Sequence, residues 1–147
     1  MTSTGRSMLE RLSITFVMAL FGWVMLSLMK RRQVALANRA SRRAHGKTKT
    51  PSIVYFWSDG CSVCKRTQRP ILDRIVAECG NERLVLTAYS VDQTPDVAEK
   101  WGVRTLPTTF VLDSAGTIRH ANNGLAVAEL LRSQLRGAGC VEDRGVP

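Results

Sequence analysis

Cysteine and histidine are scarce in this chain, which has four cysteines and two histidines among 147 residues. So few cysteines exclude a small scaffold held together mainly by disulfides. Two of them, Cys61 and Cys64, form a Cys-x-x-Cys pair that could be half of a zinc site, but such a site normally needs a second pair of ligands. The other candidate ligands are scattered, so we expect no bound metal. They are Cys79, Cys140, His45 and His120.

Acidic residues are almost absent from the first third of the chain. Residues 1–50 contain ten lysines and arginines but a single acidic residue, Glu10, whereas residues 51–147 contain eleven residues of each sign. The net charge of +9 therefore comes from the first third, and the remainder is neutral. A nucleic-acid-binding domain carries its basic patch on the folded unit, so we expect no nucleic-acid partner.

Charge of either sign is absent from Leu12 to Met29. As a helix, this run spans about 27 Å, close to the thickness of the hydrocarbon core of a bilayer, which is roughly 30 Å. We therefore predict a single transmembrane helix over residues 12–29, preceded by a short flank over residues 1–11, that anchors the protein in the cell membrane. The alternative is a signal peptide cleaved at the small-x-small site of residues 35–37. Three cations separate that site from the run, however, and the run is longer than a usual signal core.

Positive charge is concentrated after the predicted span. Eight of the ten lysines and arginines in residues 1–50 follow it. They lie in a basic, alanine-rich segment, residues 30–50, which we call the basic collar and which ends in a linker. An excess of lysine and arginine marks the cytoplasmic side of a membrane, so we predict that the following domain is cytoplasmic. The collar can also attract anionic lipid.

The Cys-x-x-Cys pair lies at a predicted junction between a strand and a helix. Ile53 to Trp57 form a short run of β-branched and aromatic residues, which is typical of a buried strand. After Cys64, apolar residues recur at helical spacing up to about Gly80. Free N–H groups and the helix dipole at such a junction stabilise a thiolate, the form of cysteine that acts as a nucleophile. We therefore predict that Cys61 is the nucleophile and that Cys64, more buried and one turn later, resolves the mixed disulfide.

The predicted domain covers residues 51–137, with the element order β-α-β-α-β-β-α, and residues 138–147 are predicted to form a loose tail. The final amphipathic helix carries Leu125, Val127 and Leu135 and stops near Gly137. The other elements after the first helix are a strand at 84–91, a short helix at 96–101, and strands at 107–112 and 117–120.

Four segments of this domain match the sequence pattern of one protein family, in the same order and at similar spacing. They are residues 55–65, 70–72, 91–95 and 101–110. On these segments the chain resembles the thioredoxin family over about residues 51–137. The resemblance implies an α/β fold, with a central mixed β-sheet flanked by helices, here preceded by the transmembrane helix. It also implies a thiol–disulfide oxidoreductase, which the predicted transmembrane helix would anchor in the membrane.

The resemblance further implies which residues surround the cysteine pair. Pro107 is implied to be the family's cis-proline and to face the pair. The backbone of Leu106 is implied to offer hydrogen bonds to an extended segment of substrate. Trp57 and Gly124 would help to shape that groove, although the alternative role for Trp57 is that of a core aromatic.

The chain departs from the family near the cysteines. Ser62 and Val63 stand where many thioredoxins have Gly-Pro, and Gly60 stands where they have Trp. Pro70 falls one residue later than usual. The first strand and helix of full thioredoxins have no clear counterpart, unless residues 31–50 supply the helix.

A further departure concerns proton transfer. Thioredoxins proper have a buried Asp before the motif, paired with a Lys on the next strand, and those positions are Tyr55 and Ala88. Both members of the pair are missing together, which is physically coherent because a lone buried charge is costly. The usual proton acceptor for Cys64 is therefore absent.

These features predict an enzyme in which Cys61 attacks a protein disulfide, or donates its own, and Cys64 resolves the mixed disulfide. The exchange needs no metal or organic cofactor. The expected partners are protein thiols and disulfides, an electron donor that the sequence does not identify, and the membrane. Two alternatives stay open: a membrane-anchored binding module of the same fold with little turnover, and, with reversed topology, an extracytoplasmic thiol oxidoreductase.

Overall fold

The computed structural model of the protein describes residues 3–44 and 50–136. Residues 45–49, which include most of the predicted linker, lie outside the described residues. The predicted loose tail, with Cys140, also lies outside them. The chain divides into two compact units, Met1–Gln33 and Val34–Pro147.

A long helix, α1 (Ser3–Ala44), supplies the first unit. Its segment Ser13–Ser41 is long and apolar enough to cross a membrane; the most apolar 18-residue window within it has a mean hydropathy of 1.7, and none of that window is buried. Large side chains such as those of Phe16 and Trp23 are exposed. The predicted apolar helix is therefore present, and it is a candidate membrane span because its side chains are not packed into a protein core.

The last turns of α1 belong to the second unit, where they pack into one of its cores. Ala37 and Ser41 are fully buried. The Ser41 hydroxyl donates a hydrogen bond to the Gly116 carbonyl oxygen at 2.8 Å, and the Ile118 N–H donates to Asn38 Oδ1 at 2.8 Å. The compact domain thus begins within the basic collar rather than at residue 51, and part of the collar supplies the domain with a first helix.

The second unit is built on a mixed four-stranded sheet, in agreement with the predicted fold class. Its strands are β1 (Ser52–Trp57), β2 (Val85–Ser90), β3 (Thr108–Leu112) and β4 (Ile118–Asn123). The strand order is β2-β1-β3-β4, in which β1 and β2 are parallel and the other neighbours are antiparallel. Strand β1 is therefore central, which explains its uninterrupted apolar run.

Helical elements cover the sheet. A π-helical turn, Cys64–Gln68, leads directly into α2 (Arg69–Cys79), and α3 (Pro95–Lys100) and α4 (Ala128–Arg136) follow later in the chain. Helix α2 ends at Gly80, whose φ of +87° is readily adopted by glycine. Helix α4 starts later than the sequence pattern predicts, so that Leu125 and Val127 precede it and are exposed.

Strand β1 directs alternate side chains into two cores on opposite faces of the sheet. Ile53 and Tyr55 enter one core together with residues of α2 and α4. Val54 and Phe56 enter the other with residues of α3 and the last turns of α1. In that second core the Phe56 ring centroid lies 5.7 Å from that of Trp101. Both faces of β1 are thus buried, and its carboxyl end offers a fixed platform for the cysteine pair.

Candidate functional site

The cysteine pair follows the carboxyl end of β1. A tight turn connects the strand to the helix. In this turn the Cys61 N–H donates a hydrogen bond to the Ser58 carbonyl oxygen at 3.2 Å. Cys61 and Cys64 are joined by a disulfide, and their Cα atoms lie 5.3 Å apart. The pair therefore lies at a strand-to-helix junction, as the sequence pattern predicts.

The two sulfurs differ in exposure and in hydrogen bonding. Cys61 is partly exposed, whereas Cys64 is fully buried. The Cys64 N–H donates a hydrogen bond to Cys61 Sγ over 3.2 Å. A backbone N–H at the start of a helix stabilises negative charge on the sulfur that it faces. The geometry therefore suits Cys61 as an attacking thiolate.

Two contacts fix the loop that precedes Cys61. Asp92 Oδ2 accepts a hydrogen bond from the Asp59 N–H at 2.8 Å. Because Asp92 follows β2, this bond ties the loop to the end of the neighbouring parallel strand. The Asp59 carboxylate pairs with Lys65 Nζ at 3.1 Å, and both side chains are exposed. Sequence reasoning did not assign either carboxylate to the site.

Tyr55 lies directly behind the buried cysteine. Its side chain is buried, and its hydroxyl donates a hydrogen bond to the Cys64 carbonyl oxygen at 2.9 Å. Burial raises the pKa of Tyr55 to about 12, with a smaller lowering by Arg69 and a smaller raising by Asp73. The phenol is therefore protonated at neutral pH and cannot take a proton from a thiol. Its partner in β2 is Ala88, so the two positions of the missing charged pair are adjacent and both neutral.

The helix that begins at the site contains one π-type turn. The Arg69 N–H donates to the Cys64 carbonyl oxygen, five residues earlier, instead of following the four-residue step of an α-helix. Such a turn holds one residue more than an α-helical turn. It accounts for Pro70 falling one residue later than in typical thioredoxins, and that spacing is the signal in the sequence that could have revealed the turn.

A buried glutamine links this helix to the segment before α4. Gln68 is fully buried, accepts a hydrogen bond from the Ala126 N–H at 2.8 Å and donates one to the Ala126 carbonyl oxygen at 3.2 Å. Gly124, two residues earlier, donates its N–H to the Pro107 carbonyl oxygen at 2.8 Å. Sequence reasoning missed Gln68, although a lone polar residue on the apolar face of a helix is a signal that could have identified it.

The structure describes all four residues that are expected to form a substrate groove. The Leu106–Pro107 peptide bond is cis, and Pro107 is buried. Trp57, Leu106 and Cys61 are partly buried and pack against the core that contains Cys64. The fourth expected groove residue, Gly124, joins them through its hydrogen bond to Pro107.

A cavity of about 240 Å³ opens beside the buried cysteine. It has room for several water molecules, since one water takes up roughly 30 Å³ in the liquid. It is lined by Tyr55, Trp57, Asp59, Cys64, Lys65 and Arg69.

Three features together define a thioredoxin-like fold: a mixed sheet with a Cys-x-x-Cys pair after its central strand β1, a helix that starts at the pair, and a cis-proline directly before β3. The sequence model of the thioredoxin family matches residues 34–136, so the match starts in the last turns of α1 and covers more than half of the chain. The chain belongs to the thioredoxin family.

Individual proteins show the same likeness. The chain is 32% identical to a thioredoxin of Rickettsia bellii (strain RML369-C) over 65 residues, which are 44% of this chain and 60% of that protein, less than two thirds of its length. It is 30% identical to a thioredoxin of Streptomyces clavuligerus over 86 residues, 58% of this chain and 78% of that one. A solved thioredoxin-like protein from Clostridium perfringens has the same fold, with a TM-score of 0.54 and 24% identity over 69% of this chain and 80% of that one.

Proposed function

We propose that the protein is a membrane-tethered thiol–disulfide oxidoreductase that reduces or exchanges protein disulfides through Cys61 and Cys64. The observation that carries this proposal is the asymmetry of the pair: Cys61 is partly exposed and faces a backbone N–H, while Cys64 is fully buried. The fold and the family are those of proteins that carry out this exchange.

The proposed reaction has two steps. The Cys61 thiolate attacks a substrate disulfide, one substrate sulfur leaves, and a mixed disulfide forms. Cys64 then attacks the Cys61 sulfur, the second substrate sulfur leaves, and the Cys61–Cys64 disulfide remains. A separate electron donor restores the dithiol. Neither step uses a metal or an organic cofactor.

We further propose that substrate lies in the groove formed by Trp57, Leu106, Pro107 and Gly124. Trp57 and Leu106 are only partly buried and, like Cys61, pack against the core that contains Cys64, so they offer partly exposed apolar surface to a substrate. The Gly124–Pro107 hydrogen bond keeps the two sides of this groove together. Leu106 directly precedes Pro107 and β3, and its backbone would bind an extended substrate segment.

The tether is proposed to be the apolar helix of residues 12–29, with the domain in the cytoplasm. The unburied apolar stretch supports a membrane span over a core helix. The alternative cleavage site at residues 35–37 falls in the part of α1 that packs into the domain, and Ala37 is fully buried there. Cleavage would therefore remove part of the domain's own core. The excess of cations after the span supports the cytoplasmic orientation.

Turnover of a disulfide substrate tests the proposal. The full chain in detergent should accelerate the reduction of insulin by excess dithiothreitol, and Cys61→Ser should abolish the acceleration. Cys64→Ser should accumulate substrate proteins bound covalently to Cys61, because the resolving sulfur is gone. Cys79→Ser, which changes a buried cysteine at the end of α2, is the matched control and should stay active. A wild-type chain no faster than dithiothreitol alone contradicts the proposal.

A second candidate is a tethered binding module, favoured by the neutral pair Tyr55 and Ala88 in place of the family's charged pair. It would hold partners in the groove with little turnover. A wild-type chain that retains the same partners as Cys64→Ser, without covalent linkage and without insulin reduction, would support this candidate instead.

A further inference from the structure

The resolving step, which rests on the proposed function, requires the Cys64 thiol to lose its proton. Cys64 is fully buried, so bulk water does not reach it directly. Tyr55 is protonated and its hydroxyl already donates to the Cys64 carbonyl oxygen. Gln68 is a neutral amide that uses its oxygen and its nitrogen on Ala126. Neither of these buried polar groups can take the proton.

The cavity beside Cys64 supplies the remaining candidates. Three of the residues that line it are charged: Asp59, Lys65 and Arg69. Lys65 and Arg69 are cations, paired with Asp59 at 3.1 Å and with Asp73 at 2.9 Å, and a cation has no lone pair for a proton. The carboxylate of Asp59 is therefore the basic group of the cavity.

We propose that Asp59 accepts the proton of Cys64 through water in this cavity and so takes over the task of the missing buried carboxyl. Its position is fixed from two directions. Its own N–H is held by Asp92 at the end of β2, and its carboxylate is held by Lys65, the residue after Cys64. The acceptor is thereby linked both to the end of β2 and to the helical segment that carries the thiol.

Two bonds break and two bonds form in this step. The Cys64 S–H bond breaks, and its proton passes through water to a carboxylate oxygen of Asp59. The Cys64 sulfur uses the freed electron pair to bond to Cys61 Sγ. The bond between Cys61 Sγ and the substrate sulfur breaks, and the substrate leaves as a thiolate that carries that electron pair. The cysteine pair is oxidised, the substrate is reduced, and the proton on Asp59 exchanges with solvent.

The two steps can be timed separately with 5,5′-dithiobis(2-nitrobenzoate) and the reduced full chain in detergent, in a background that carries Cys79→Ser and Cys140→Ser so that Cys61 and Cys64 are its two remaining thiols. Attack by Cys61 releases one coloured thiolate, and resolution by Cys64 releases the second. Asp59→Asn should leave the first phase within about twofold and slow the second by about a hundredfold or more, the low end of what a positioned base contributes. The second phase should also become more dependent on pH, because it then follows the Cys64 thiolate alone. Asp59→Glu should restore it.

The direction of the effect separates proton transfer from simple electrostatics. Removing the negative charge of Asp59 leaves Lys65 unpaired, and an unpaired cation favours the thiolate, which would speed the second phase. Proton acceptance predicts the opposite. The matched control is Glu99→Gln, which removes an exposed carboxylate on α3 that does not line the cavity; its second phase should match the wild type.

A normal first phase followed by an unchanged or faster second phase in Asp59→Asn overturns the inference and leaves the proposed function intact. A wild-type protein without a first phase overturns the proposed function and this step with it. The amplitude of the first phase in each variant reports the fraction of folded, reactive protein.

Discussion

Tyr55 supplies a neutral hydrogen bond where related proteins place a buried charge. The Cys64 carbonyl oxygen has two lone pairs, and it accepts one bond from the Tyr55 hydroxyl and one from the Arg69 N–H. The backbone of the buried cysteine is therefore held from the sheet and from the helix at once. This arrangement avoids an unpaired buried charge, which would destabilise the fold, but it leaves proton transfer to another group.

The raised pKa of Tyr55 predicts a loss of stability in alkali. The folded-state pKa of about 12 lies above the unfolded value of about 10, so this contribution is fully present below pH 10 and is lost as pH rises towards 12. At pH 11 the wild type should have lost about 1.4 kcal/mol of its free energy of unfolding through this group. Tyr55→Phe should lack that loss.

Urea unfolding of both proteins between pH 8 and 11 measures the difference. Tyr89→Phe keeps Tyr55 and should follow the wild-type curve, so it controls for the loss of a tyrosine elsewhere in the sheet. Parallel curves for wild type and Tyr55→Phe would contradict the prediction.

The sequence predicts the positions of some residues of the site but not the contacts that others make. The change from a β-branched run to helical spacing locates Cys61 and Cys64 at a junction, because that pattern depends only on neighbouring residues. The bond from Tyr55 to Cys64 and the two bonds between Gln68 and Ala126 join different elements. They depend on how the elements pack, which local spacing does not specify.

At the scale of elements, α1 takes part in two structures. Its apolar stretch is unburied, whereas its last turns carry small residues that approach the domain closely, among them Ala37 and Ser41. The sequence shows this second role poorly, because cations surround these small residues and make the collar look like a solvated segment. The π turn at Cys64–Gln68 is missed for a different reason: the spacing of apolar residues does not distinguish it from an α-helix, and the late position of Pro70 is the signal that does.

Enlarging Ala37 should therefore destabilise the domain. Ala37 is fully buried, and inserting methylenes into a packed core typically costs about 1–3 kcal/mol. Ala37→Leu should lower the free energy of unfolding by that amount in urea titrations of the full chain in detergent. Ala35→Leu, an exposed position on the same helix, is the matched control and should change stability by less than about 0.5 kcal/mol. Equal effects of the two changes would show that these turns of α1 do not pack as described.

At the scale of the whole molecule, charge is divided sharply along the chain. Residues 51–147 are neutral, while residues 1–50 carry the entire excess of nine positive charges. The neutral segment, residues 51–147, has no electrostatic reason to prefer either side of a membrane. Orientation should therefore be set by the segments that flank the apolar run, and these are unequal: two cations and Glu10 precede it, and eight cations follow it.

We predict that this unequal distribution of cations on the two sides of the apolar run keeps the domain in the cytoplasm. Moving the eight cations of the collar against a membrane potential costs about 2.3 kcal/mol per charge per 100 mV, whereas the two cations before the run are partly offset by Glu10. An alkaline phosphatase that is active only in the periplasm, fused after Pro147 in a bacterial host, should be inactive in an intact, membrane-bound fusion. Neutralising the six arginines and lysines at positions 30, 31, 32, 39, 42 and 43 should raise phosphatase activity. Strong activity before neutralisation, or none after it in a stable protein, would show that the collar does not set the orientation.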